Sequence, residues 1–93
     1  MIHSLPFPRL KFSDENGLFA QIAHIETEMD EVRDAYLAEP IERVAEEIAD
    51  LMTSCKTALD IIERIHGIHP LDVMIRVHEK NRRRGYEADK IAT

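Results

Sequence analysis

The sequence predicts an all-α fold: an antiparallel helical bundle of two long helices plus a shorter third, completed by homo-oligomerisation. Three observations predict it. Apolar residues recur at steps of three and four along two long stretches, which is the period of a helix face. The 3 Gly and 4 Pro fall outside those stretches. Aromatics make up 5% of the chain and Trp is absent, so the core is expected to be aliphatic. A chain of 93 residues buries only about 60–65% of its unfolded surface, and shared helices in a homo-oligomer would relieve so marginal a core.

The elements follow in order within one domain, residues 1–93. Residues 1–12 hold Pro6 and Pro8 among mixed apolar side chains and read as an extended arm. Ser13 suits an N-cap, and Asp14 and Glu15 then fall where the macrodipole favours acids. Leu18, Ile22, Ile25, Met29, Val32 and Tyr36 form the stripe of the first long helix, which ends near Pro40. The second runs from about Ile41 to His66, with Ile48, Leu51, Met52, Cys55 and Leu59 on its apolar face and Gly67 as its C-terminal stop. His69-Pro70 reads as a turn with Pro at the first position of the third helix, which ends before Gly85. Residues 87–93 read as a loose tail.

The bulk numbers bound the function. Residues 1–70 carry 14 acidic and 6 basic side chains, and residues 71–93 carry 4 and 6. A body this acidic is ill suited to wrapping nucleic acid. No apolar run is long enough for a signal peptide or a membrane span. Cys55 is the lone cysteine, so no internal disulfide can form and a reducing cytoplasm is the expected compartment. On the apolar stripe it reads as a small buried filler.

Two acidic pairs carry most of the chemical information. Glu28 and Glu31 lie on the first long helix, Glu47 and Asp50 on the second. Each pair is spaced i, i+3, which puts both carboxylates on one face with β-carbons about 5–6 Å apart. Measured from Ile25, Glu28 falls about 60° and Glu31 about 120° to one side; measured from Ile48, Glu47 falls about 100° and Asp50 about 160° off. Each pair therefore borders the core. An antiparallel return would let four carboxylates converge, and such a cluster repels itself unless cations sit inside it. The plainer reading is that acids beside a seam are solvated flanks, as Glu42, Arg43 and Glu46 are expected to be. Gln21 and His24 share the flank of Glu28, with His24 one turn away as its partner. Glu63-x-x-His66 is the spacing found in di-iron bundles, but it occurs once here, and His66 better suits a helix C-terminus.

Lys80, Asn81, Arg82, Arg83, Arg84 and Tyr86 close the third helix. Lys and Arg can grip phosphate oxygens, Asn81 can bind a phosphate, a sugar or a metal-bound water, and Tyr86 can stack on a base. Basic residues in a last turn also simply suit the dipole.

Taken in order, Thr27-Glu28-Met29-Asp30-Glu31, then Glu47-Ile48-Ala49-Asp50, then Lys80-Asn81-Arg82-Arg83-Arg84-Gly85-Tyr86 resemble the marks of the MazG-like all-α nucleoside triphosphate pyrophosphohydrolases. The likeness spans roughly residues 18–86. Thr27 stands where that family has a Glu, and His24 where it often has a Lys. The resemblance implies hydrolysis of a nucleoside triphosphate between its α- and β-phosphates, giving the monophosphate and pyrophosphate. It also implies a homodimer or homotetramer. On that expectation Glu28, Glu31, Glu47 and Asp50 hold Mg²⁺ or Mn²⁺, Glu31 orients the attacking water, and Lys80 and Arg84 neutralise the leaving pyrophosphate. Gln21 and His24, with Phe19 nearby, border the base slot. Two alternatives stay open: a phosphoribosyl-ATP pyrophosphohydrolase of the same superfamily, and a non-enzymatic helical interaction module.

Overall fold

Two long helices are folded back on each other by a two-residue connection. The computed structural model describes residues 7–88; the first six residues of the expected arm and residues 89–93 of the expected tail lie outside this range. Helix α1 spans Phe12–Glu15, α2 Leu18–Ala38, α3 Ile41–His66 and α4 Pro70–Arg83, and no strand occurs among the described residues. The all-α expectation holds for them.

Local chemistry sets most of the boundaries. Glu39 and Pro40 are both extended, and so short a link makes α2 and α3 antiparallel neighbours. Gly67 closes α3 at φ 73°, and its N–H donates to the Glu63 carbonyl. His69 caps α4: its Nδ1 accepts from the Leu71 N–H at 3.1 Å. That role was not foreseen from the sequence.

The start of the first long helix differs from expectation. Ser13 is not an N-cap; it lies inside α1, is fully buried, and its Oγ donates to the Leu10 carbonyl at 2.7 Å. Asn16 and Gly17 then adopt extended backbone, and α2 begins at Leu18. Asn competes for backbone hydrogen bonds and Gly loses the most conformational entropy in a helix, so the chain breaks at this pair.

The core also differs. Among the described residues, Ala35, Val44, Ala58, Ile61 and Pro70 are the buried apolar ones, and Ser13, Gln21, Ser54, Lys56, Thr57 and Asp60 are buried with them. The aliphatic stripe is split. The edge of α2 bearing Gln21 and Ala35 is buried, whereas Ile22, Met29 and Tyr36 on its other edge stay exposed. On α3, Ile48, Met52 and Cys55 are exposed as well, so Cys55 is not the buried filler expected of it. Partial desolvation still pushes its thiol up from the ordinary value. One α2–α3 seam cannot cover arcs this wide. Helix α4 meets only α3 among the helices.

An unforeseen ion pair sits inside α3. Lys56 Nζ donates to both Asp60 oxygens at 2.8 and 2.6 Å, and both residues are buried.

Candidate metal centre

The turn at Glu39–Pro40 determines which residues of α2 and α3 can meet. Glu28 lies eleven residues before Glu39 and Asp50 ten residues beyond Pro40, so the two reach nearly the same level of the hairpin. Glu28, Glu47 and Asp50 each offer a carboxylate oxygen, and these atoms all lie within 4.8 Å of one another. Mg²⁺ and Ca²⁺ bind oxygen donors at about 2.0–2.6 Å, so a single ion could bridge oxygens at this spacing after small side-chain adjustments. Glu28 and Glu47 side chains are 12% exposed, and Asp50 is exposed. This gradient follows their angles from the apolar stripe.

Glu28 is held on one oxygen only. His24 Nε2 lies 2.9 Å from its Oε1, and Ser54 Oγ donates to the same atom at 3.5 Å, a weak contact. Its Oε2 is buried and has no hydrogen-bond partner among the described residues. An orphaned buried carboxylate oxygen is costly, and a cation among the three acids would satisfy it. The donor set, all carboxylate oxygen, suits hard divalent cations as a class, Ca²⁺ as much as Mg²⁺ or Mn²⁺.

Glu47 is tethered from outside. Arg43 donates to Glu47 Oε1 at 2.9 Å and to Glu46 Oε1 at 2.8 Å. The Arg43 guanidinium is raised from its ordinary value, first by the Glu46 hydrogen bond. Arg43 and Glu46 were expected to be plain solvated flanks, but Arg43 orients one member of the cluster. Glu31 does not join the three acids; it lines an adjacent hollow with Asp34, Arg43 and Glu47.

Gln21 is buried, and with His24 it lines the cavity that also takes in Glu28 and Asp50. Its Nε2 donates to the Ser54 carbonyl at 3.1 Å, and its Oε1 accepts from Asn16 Nδ2 at 3.2 Å. Phe19 is 89% exposed and lines none of the hollows beside the acids. The basic cluster is elsewhere. Lys80 lines a hollow formed by α4 alone, Arg84 lies 5.9 Å from the Tyr86 ring centroid, and neither these nor Asn81 lines the hollows that hold the acids.

Sequence reasoning missed Asn16, Phe12 and Ser54 as neighbours of the acids. Nothing in a helical period points to them, because Phe12 and Asn16 precede the break at Gly17 and Ser54 looks like an ordinary helix residue. Compared with known protein families, curated proteins and solved structures, the chain matches none.

Proposed function

We propose that this chain is a divalent-cation-dependent nucleotide pyrophosphohydrolase of the MazG-like kind. It would cleave a nucleoside triphosphate between the α- and β-phosphates, releasing the monophosphate and pyrophosphate. The observation that carries this reading is the buried, partnerless Glu28 Oε2 in a side chain that converges with Glu47 and Asp50.

Mg²⁺ or Mn²⁺ held there would supply an acidified water and neutralise phosphate charge. Glu28, Glu47 and Asp50 would hold the ion. His24 and Ser54 orient Glu28, and Arg43 orients Glu47. Glu31, in the hollow next to Glu47, would orient the attacking water. Lys80, Asn81, Arg84 and Tyr86 are assigned to the phosphates and the sugar or base. They ride on α4, which meets only α3, so a second copy of the chain is the simplest way to bring them to the acids.

The uncovered apolar residues favour such a homo-oligomer. Ile22 and Met29 on α2 and Ile48 and Met52 on α3 are each 43% exposed or more. Cys55 lies on the same face of α3, one turn from Met52, and reports on its covering. Its labelling by a thiol reagent should be fast at low protein concentration and slow as concentration rises. Labelling at one rate across the whole range would count against a self-association through this face.

The activity is tested with a nucleotide panel in Mg²⁺ and in Mn²⁺, reading pyrophosphate release. Wild-type protein should release pyrophosphate only with the metal. Glu47→Gln should lose that release while its helical circular dichroism is retained. Near-full activity in Glu47→Gln would refute the ligand assignment.

A further inference from the structure

Arg43 is the third residue of α3, where the positive end of the helix macrodipole disfavours a cation. Carboxylates offset that. Each nitrogen of the guanidinium addresses a different one: Nη2 lies 2.9 Å from Glu47 Oε1, Nη1 2.8 Å from Glu46 Oε1 and Nε 3.9 Å from Glu39 Oε2. Glu31 and Asp34 of α2 line the same hollow.

The three contacts are unequal. Glu47 is largely buried and belongs to the acid cluster, whereas Glu46 and Glu39 are 63% and 44% exposed and lie outside it. Giving up Glu47 would leave the guanidinium with two carboxylates and with water, so release is easy on the arginine side. The acids depend on it more. Glu28, Glu47 and Asp50 converge within 4.8 Å. Among the described residues, Arg43 is the one permanently charged cation paired with any of the three, since the His24 partner of Glu28 is charged only when protonated. A divalent ion brings twice the charge of Arg43 to the same carboxylate. Two cations on one carboxylate repel, so each lowers the affinity of the other.

We propose that Arg43 is a built-in counter-ion of the acid cluster that competes with a divalent ion for Glu47 and so keeps that ion weakly held. The proposal rests on the divalent-ion reading above. A guanidinium that only steadied Glu47 would act in the opposite direction, since such outer partners typically raise metal affinity about 10–100-fold. Here the competing effect is the larger. The Glu47 side chain is 12% exposed, so packing already limits its rotamers and the tether adds little order, while burial strengthens the charge effect. An ion held weakly by the protein alone is held better once phosphate oxygens complete its shell, as Mg²⁺ commonly requires. Arg43 thereby favours entry of the ion together with a phosphorylated substrate.

The test titrates Mn²⁺ alone, without nucleotide, into wild type, Arg43→Gln and Arg33→Gln, and reads free ion by electron paramagnetic resonance. Only binding that Glu28→Gln abolishes is counted. Arg33 is the charge control: it is 70% exposed, lies 3.6 Å from Asp30 and pairs with none of the three acids. Arg43→Gln should bind Mn²⁺ about fivefold more tightly than wild type, as loss of one competing ion pair allows. Arg33→Gln, with the same change in net charge, should differ from wild type by less than about twofold, because its charge is screened by solvent. An affinity of Arg43→Gln equal to or weaker than that of wild type, or an equal gain in Arg33→Gln, overturns the counter-ion role while leaving the metal site standing. Binding by Arg43→Gln but not by wild type supports it. No binding by any of the three overturns it together with the divalent-ion reading.

Discussion

Glu28→Gln should reduce Mg²⁺-dependent pyrophosphate release by about 10²–10³-fold, because metal-assisted charge stabilisation is worth several kcal/mol in the transition state. The same substitution should leave the metal-free protein as stable as wild type or more so. Glutamine keeps an Oε1 that can accept from His24 and Ser54, the two partners of Glu28. It removes one negative charge from three carboxylates that converge within 4.8 Å, and it replaces the orphaned Oε2 with an amide nitrogen that can donate to a neighbouring carboxylate. Thermal melts therefore separate two origins of the cluster. In wild type, Mg²⁺ should raise the midpoint in proportion to the logarithm of its concentration above Kd. In Glu28→Gln the metal-free midpoint should equal or exceed that of wild type, and Mg²⁺ should add little. If Mg²⁺ shifts both proteins equally, the acids are a solvated flank that responds only to ionic strength.

Asp60→Ala should destabilise the fold by about 3–5 kcal/mol, since it strands the buried Lys56 ammonium without its partner. Among the described residues Lys56 Nζ donates to Asp60 alone, and both side chains are 7% exposed or less. Against a total stability of about 5–15 kcal/mol for a domain, that is a large fraction. Replacing both residues by apolar side chains of similar size, Lys56→Met with Asp60→Leu, should cost far less or even stabilise, because neither charge then needs compensation. Urea titrations followed by circular dichroism measure both. Equal losses in the single and double variants would show that packing at these positions matters, with the ion pair contributing nothing.

The candidate site was legible to the extent that it depends on helical period. The angles that put Glu28 and Glu47 nearer the apolar stripe than Glu31 and Asp50 are matched by their burial: the first two are half-buried and the last two exposed. The i, i+4 relation of His24 to Glu28 likewise puts them in contact. Helical period is silent on contacts across the break at Asn16–Gly17. The clamp from Arg64 to Ser13 and Asn16 joins residues about fifty positions apart, and no local pattern encodes it.

The apolar stripe shows the other limit. Period alone identified which residues of α2 and α3 are apolar on one side. It could not say which edge of a wide stripe the neighbouring helix would take, because Gln21 and Ile22 are equally compatible with that face. Gln21 is buried since the Ser54 carbonyl and Asn16 satisfy both ends of its amide; Ile22 is left exposed.

Helix content, the turn at Glu39–Pro40 and the pairing of the two acidic segments were determined by the sequence, because each depends on residues a few positions apart and on the geometry of a short antiparallel return. Tertiary structure alone decided which oxygen of Glu28 is orphaned, that Arg43 rather than solvent holds Glu47, that a charged pair lies inside α3, and that a cavity walled by Phe12 and Asn16 adjoins the acids. Those features depend on the crossing of helices and on hydrogen bonds between distant segments, where a shift of one side chain changes which groups are satisfied.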